Sequence, residues 1–115
     1  MIRNPYTYKA TVLSVVDGDT LKLSIDLGFK ISWISNCRLA EINAMEIADK
    51  DPMLRARALE AKKYIEDRLP IGTTIMAQSA KLDKYGRPVV IVYYGEYYLK
   101  NLNNELLSAQ LVESY

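Results

Sequence analysis

Residues 17–28 have the sequence DGDTLKLSIDLG, in which a tight-turn signal precedes a strictly alternating segment. An Asp-Gly pair between apolar runs is one of the strongest short-range signals for a β-hairpin. After it, Leu or Ile occupies every second position from Leu21 to Leu27, which predicts a strand with one buried face. The preceding segment, Tyr6–Val16, is rich in Tyr, Thr and Val and lacks Gly and Pro, so it predicts the partner strand. Asp19 is then expected at one end of the hairpin.

Three further strands are predicted along the chain. Ile31–Glu41 extends the hairpin to a three-stranded meander, with Trp33 on the same face as Ile31. Thr73–Ser79 and Val89–Tyr94 predict the fourth and fifth strands, which a polar loop joins.

Two helices are predicted between and after these strands. Asp51-Pro52 is a helix-start signal, and apolar residues then recur at spacings of three and four as far as Leu69. A second helix is predicted from the leucines between Leu99 and Leu107, with a cap at Asn101 or Asn103. This pattern predicts a mainly β, α+β fold, a small closed barrel with a helix after the third strand and a helix near the C-terminus.

Composition narrows the possible chemistry. The 115 residues fit one domain over 1–115, and the net charge of +1 provides no overall basic field for nucleic acid. The chain has no histidine and only one cysteine, Cys37, which excludes histidine catalysis, an internal disulfide framework and a multi-cysteine zinc site. Because no signal peptide or membrane-spanning run is recognisable, we expect a cytoplasmic protein without a membrane partner. No obligate protein partner is evident, so we also expect a monomer.

Three short polar segments lie where loops between strands are expected. They are Asp17–Thr20 (DGDT), Arg38–Glu46 (RLAEINAME) and Asp83–Arg87 (DKYGR). Together they supply two arginines, acid and amide oxygens and a further carboxylate. These groups are suited to metal-assisted attack of water on a phosphodiester.

The order and spacing of the three segments resemble the staphylococcal nuclease (thermonuclease-like) family. That family combines a DGDT turn, an R-L segment ending in P-E, and a D-K-Y-G-R loop. The resemblance implies a five-stranded OB-fold barrel with a Ca²⁺-dependent phosphodiesterase site. It assigns the metal to the carboxylate of Asp19, the side-chain oxygen of Asn43 and the backbone carbonyl of Ala44, and another divalent ion remains possible.

The same resemblance assigns the catalytic and substrate-binding residues. Arg38 and Arg87 would bind the scissile phosphate and its transition state, and Glu46 would orient or deprotonate the attacking water. Lys84 and Tyr85 would contact the adjacent nucleotide. The implied reaction is the hydrolysis of DNA and RNA with little sequence preference, with single strands favoured and 3′-phosphate products.

Three positions depart from the family pattern. Asn43 stands where the family more often has aspartate, so the metal site loses one charge but keeps an oxygen. Met45 replaces a proline before Glu46. Gln110 stands where a helix-ending glycine is usual, so either it adopts the left-handed conformation at a cost or the helix continues past it.

Less specific interpretations remain open for each segment. Asp17 and Asp19 are also ordinary turn acids, the DKYGR segment could be a polar hairpin loop, and Arg38 could form a solvated ion pair with Glu46. The tyrosines between Tyr93 and Tyr98 fit cross-strand packing as well as base stacking.

Two further functions therefore stand beside the nuclease. One is a nuclease-like OB module that binds single-stranded nucleic acid with little or no catalysis, because Asn43 and Met45 weaken the site. The other is a protein-interaction domain on the same barrel. Metal dependence separates the enzyme from the binding module, since only the enzyme should become inert after chelation.

Overall fold

Five strands close into a barrel in the computed structural model, which describes residues 6–44, 50–79 and 81–114. The strands of the barrel are β1 (Thr7–Asp17), β2 (Thr20–Gly28), β3 (Ile31–Leu39), β5 (Thr74–Gln78) and β6 (Val89–Tyr94), and the shorter strands are β4 (Ile42–Asn43), β7 (Lys100–Asn101) and β8 (Glu113–Ser114). The α-helices are α1 (Pro52–Arg68) and α2 (Leu102–Ser108), and a 3₁₀ helix spans Glu96–Tyr98.

Strand pairing follows the order β3-β2-β1-β5-β6, and a parallel contact between β3 and β6 closes the barrel. In that contact Arg38 pairs with Val89 and Leu39 pairs with Val90. The predicted OB-fold barrel, with one helix after the third strand and another near the C-terminus, is confirmed.

The predicted alternation holds in β2 as far as Ile25, whereas Leu27, near the end of the strand, is 43% exposed. Leu21, Leu23 and Ile25 are buried, and the intervening Lys22 is exposed. Asp17 pairs with Thr20, so the loop contains only two residues and places Asp19 at the end of the hairpin as expected.

Helix α1 begins as predicted and packs through small residues. The side chain of Asp51 accepts a 2.9 Å hydrogen bond from the backbone N–H of Met53, and Pro52 occupies the first turn. Ala58 and Ala61 are fully buried. These small side chains let the helix approach β1 closely.

The predicted end of the third strand was wrong, and one of the two predicted caps of the second helix is confirmed. The third strand ends at Leu39 instead of Glu41, because Glu41 has a φ of 64°, which is incompatible with a strand. Helix α2 begins at Leu102, and the side chain of Asn101 caps it by accepting a hydrogen bond from the N–H of Asn104. The cap predicted at Asn101 is therefore confirmed, and Leu99 precedes the helix.

The end of α2 resolves the alternative at Gln110. The helix stops at Ser108, and Gln110 adopts the left-handed conformation with a φ of 57°. The guanidinium of Arg57 on α1 donates two hydrogen bonds to the carbonyl of Gln110, which anchors this turn.

Asn103, the other predicted cap of α2, is instead a buried polar residue inside the helix. Its side-chain oxygen accepts a hydrogen bond from the N–H of Val92, and its amide donates to the carbonyls of Ala40 and Val90, each at 3.1 Å. It therefore connects α2 to β6 and to the residue that follows β3.

Within the described residues, no helix is long and apolar enough to cross a membrane.

The tyrosines of β6 and the following turn differ in environment. Tyr94 is buried, and its hydroxyl hydrogen-bonds to Glu105 on α2, whereas Tyr97 is exposed. Cross-strand and core packing therefore accounts for Tyr94.

Candidate active site

The carboxylate of Asp19 is the centre of a hydrogen-bonded cluster. Its Oδ2 lies 2.7 Å from Nη1 of Arg38 and accepts a 2.9 Å hydrogen bond from the backbone N–H of Ala44. Its Oδ1 accepts a hydrogen bond of 2.9 Å from the hydroxyl of Thr20. Nη2 of Arg38 donates to Oδ1 of Asn43 at 2.9 Å. Five residues from two of the predicted segments therefore meet at one point.

The backbone around this cluster is held by contacts that the barrel provides. Leu39 N–H donates to the carbonyl of Asp19 at 2.7 Å, and Arg38 N–H donates to the carbonyl of Pro88 at 2.8 Å. Gly18 permits the hairpin loop to reach α1, because a Cβ at this position would lie 2.6 Å from Cβ of Ala61 and 3.1 Å from Cβ of Ala44. The glycine is therefore required for close approach.

The third predicted segment forms a loop that Asp83 organises. Oδ1 of Asp83 accepts hydrogen bonds from the backbone N–H groups of Tyr85 (2.8 Å) and Arg87 (3.0 Å), and Oδ2 lies 2.7 Å from Nε of Arg87. Desolvation alone would raise the pKa of Asp83, but the bonds from Arg87 and Tyr85 hold that pKa below its ordinary value. No role was predicted for Asp83 from its residue type, and its bonds to Arg87 show that it orients that side chain.

Tyr85 lies close to two cations on the same loop. Its ring centroid is 5.2 Å from Nζ of Lys84 and 5.4 Å from Cζ of Arg87, and 72% of the residue is exposed. An exposed aromatic residue beside two positive charges is suited to a nucleotide, which offers a planar base beside a phosphate.

A groove of about 800 Å³ brings the loop and the cluster together. Arg38 and Arg87 line it, with Lys84, Tyr85 and the exposed Glu41. Arg38 connects the groove to the cluster, because its guanidinium also contacts Asp19 and Asn43.

Seven of the eight predicted site residues belong either to the cluster around Asp19 or to the DKYGR loop. Asp19, Arg38, Asn43 and Ala44 form the cluster, and Lys84, Tyr85 and Arg87 belong to the loop. The eighth, Glu46, lies outside the described residues, as does Met45.

Cys37 lies next to the site in the sequence but is directed into the core. It is fully buried, and burial raises the pKa of its thiol to about 12. A thiol with such a pKa is not a nucleophile near neutral pH.

The oxygen donors of the cluster could hold a hard cation such as Ca²⁺. The carboxylate of Asp19 and the amide oxygen of Asn43 contact the same guanidinium, so they face a common space, and both are ligand types that Ca²⁺ accepts. Only Asp19 contributes a full negative charge. In the part of the chain that the structure describes, no three Asp, Glu, Cys or His side chains are grouped to hold a metal.

Comparison with known families agrees with the geometry. A family model described as staphylococcal nuclease homologue matches residues 36–114. The chain belongs to this family. The comparison with curated proteins found no match. In this staphylococcal nuclease homologue the matched region contains Arg38, Asn43 and the DKYGR loop, whereas Asp19 precedes it.

Proposed function

We propose that this chain is a metal-dependent nuclease that hydrolyses phosphodiester bonds of DNA and RNA with little sequence preference. The observation that carries the proposal is the position of Arg38. Its side chain contacts both Asp19 and Asn43 and also lines the groove that contains Arg87, Lys84 and Tyr85. A phosphate bound between the two arginines would therefore lie next to the oxygen donors.

The two arginines would provide most of the phosphate recognition. A guanidinium matches two phosphate oxygens with its planar fork and remains charged at all relevant pH values. Arg87 is already oriented by Asp83, so little side-chain freedom is lost on binding. Because such contacts read phosphate and not base edges, weak sequence preference is expected.

Ca²⁺ at Asp19, Asn43 and the carbonyl of Ala44 would supply Lewis-acid stabilisation of the charge that develops on the phosphate. Glu46 is assigned the role of base from its place in the RLAEINAME motif. Lys84 and Tyr85 would hold the adjacent nucleotide through charge and stacking.

A binding module without catalysis is the second candidate, and a specific observation favours it. Arg38 neutralises Asp19, and Asn43 contributes no charge, so the described donors attract a divalent cation only weakly. The groove and the exposed Tyr85 would still bind a single strand.

Cleavage of labelled single-stranded DNA distinguishes the two. Reactions would contain Ca²⁺, Mg²⁺ or excess chelator, with wild type, Arg87→Ala, Glu46→Gln and the surface control Lys63→Ala. The nuclease predicts metal-dependent cleavage that Arg87→Ala lowers by roughly 10²–10³-fold and Glu46→Gln by roughly 10²–10⁴-fold. Lys63→Ala should cleave like wild type.

The opposite outcome is equally clear. Strand binding that persists in chelator, without cleavage in either metal, would leave the binding module as the function. A protein that neither binds nor cleaves the strand would contradict both candidates.

A further inference from the structure

A second, smaller groove of about 280 Å³ opens at one end of the barrel. Its floor consists of core residues: Ile25, Ala77 and Val90 are at most 4% exposed and line it from β2, β5 and β6. This volume is below the roughly 300–1,000 Å³ of a typical drug-sized ligand site. The groove therefore has room for one small chemical group, smaller than a typical drug-sized ligand.

Aromatic side chains form the walls of this groove. Tyr6 and Tyr8 approach from the start of β1, and Trp33 approaches from β3. Trp33 pairs across the sheet with the buried Ile25, so its side chain lies on the same, core-facing side of the sheet. Tyr6 and Trp33 are 52% and 39% exposed, which leaves aromatic surface accessible to a ligand.

The small groove adjoins the groove of the candidate active site. Ser79, Lys81 and Leu82 line both. A β-bridge between Leu82 and Pro88 fixes the shared wall at the base of the DKYGR loop. Lys81 is exposed and places a positive charge where the two grooves meet.

We propose that the small groove, which we call the aromatic subsite, binds an unstacked nucleobase of the same single strand whose phosphate lies between Arg38 and Arg87. The inference rests on the proposed function and extends it. Every nucleobase has an apolar face that stacks on aromatic side chains, and Lys81 would neutralise the intervening phosphate. A base within a duplex cannot enter the subsite, so it selects single-stranded or frayed nucleic acid.

Trp33 provides a direct probe, because it is the only tryptophan in the chain. The experiment uses the full chain in chelator, so that no strand is cleaved, and follows tryptophan fluorescence and affinity. One probe is oligothymidylate of about eight nucleotides, within the usual site size of an OB fold. The matched probe is an abasic strand of equal length, which has the same phosphates and no bases.

The aromatic subsite predicts that oligothymidylate quenches Trp33 and binds roughly tenfold or more tightly than the abasic strand. Two variants test the walls: Tyr6→Ala keeps the fluorescent reporter, and Trp33→Leu keeps an apolar side chain. Each should bind oligothymidylate about tenfold more weakly and bind the abasic strand with unchanged affinity. Phe29→Ala is the control, because Phe29 is 97% exposed at the tip of the β2–β3 hairpin and lies outside the groove.

Several outcomes would overturn the subsite. If both strands bind with equal affinity and Trp33 fluorescence does not change, the aromatic subsite is refuted, and the phosphate-binding role of the larger groove still stands. If the protein binds neither strand in chelator, the subsite is overturned, and if it also cleaves no strand in Ca²⁺ or Mg²⁺, the proposed function is overturned with it. A dimer in sedimentation that Trp33→Leu abolishes and oligothymidylate does not displace would assign the groove to a second copy of the chain.

Discussion

Nη1 of Arg38 lies 2.7 Å from Oδ2 of Asp19, so a positive charge contacts the carboxylate at the centre of the candidate site. The same guanidinium donates to Asn43. Arg38 is the residue assigned to the phosphate, and Asp19 and Asn43 are assigned to the metal. A cation bound at Asp19 and Asn43 would therefore compete with the guanidinium for the same oxygens, and a phosphate that draws Arg38 into the groove would release them.

Arg38→Gln should change metal affinity and catalysis in opposite directions. Removal of the positive charge eliminates repulsion of Ca²⁺ at Asp19, so we expect Ca²⁺ to bind at least about tenfold more tightly, while cleavage falls by roughly 10²-fold or more. Calorimetric titration and the cleavage assay measure the two effects, with Lys63→Gln as the control. Unchanged or weaker Ca²⁺ binding would show that the ion pair does not compete with the metal.

Asn43→Asp should strengthen the metal site by restoring a second negative charge. The carboxylate keeps an acceptor for Arg38, so the cluster is retained, and we expect roughly tenfold tighter Ca²⁺ binding. Thermal stabilisation by added Ca²⁺ reports this gain. Asn43→Ala, which removes the oxygen, should show less stabilisation than wild type, and equal shifts for all three proteins would exclude Asn43 as a ligand.

Gly18→Ala should destabilise the fold by roughly 1–3 kcal/mol, because its Cβ would lie 2.6 Å from Cβ of Ala61. Urea denaturation measures the loss. Ala61→Gly makes space on α1 but costs about 1 kcal/mol by itself. We expect the double variant to be more stable than the sum of the two single changes predicts, and strict additivity would show that the two sites do not touch.

The Asp83–Arg87 interaction should weaken in acid. The pKa of Asp83 is lower in the folded state than its ordinary value of 3.8. Its contribution to stability is therefore fully present above that value and is lost as the pH falls through the lower, folded-state pKa. Asp83→Asn should be less stable than wild type near neutral pH, and the difference in unfolding free energy should shrink in acid. A constant difference across this range would refute the assignment.

Gln110→Gly should stabilise the protein, because the left-handed φ of 57° costs a residue with a Cβ about 1–2 kcal/mol. Part of that gain is offset by the greater freedom of glycine in the unfolded chain, so we expect about 0.5–1 kcal/mol net. The bonds from Arg57 go to the backbone carbonyl and are retained. Gln110→Ala keeps the Cβ and should give no increase in melting temperature.

Much of the fold followed from local patterns. The alternation from Leu21 to Leu27 predicted β2, and Asp51-Pro52 predicted the start of α1, because each signal is contained within a few neighbouring residues. The strand end at Leu39 was missed, since the positive φ of Glu41 has no signal in its residue type.

By itself the sequence determined the hairpin, the helix starts and the three polar segments that supply the candidate chemistry. Only the tertiary structure decided which of these groups meet. Asp19 and Arg38 are 19 residues apart, and their contact depends on the register between β2 and β3, in which Thr20 pairs with Arg38. The bonds of Asn103 to Ala40 and Val90 likewise join distant segments. Periodicity reports which face of an element is buried, whereas contacts between distant segments arise only when the barrel closes.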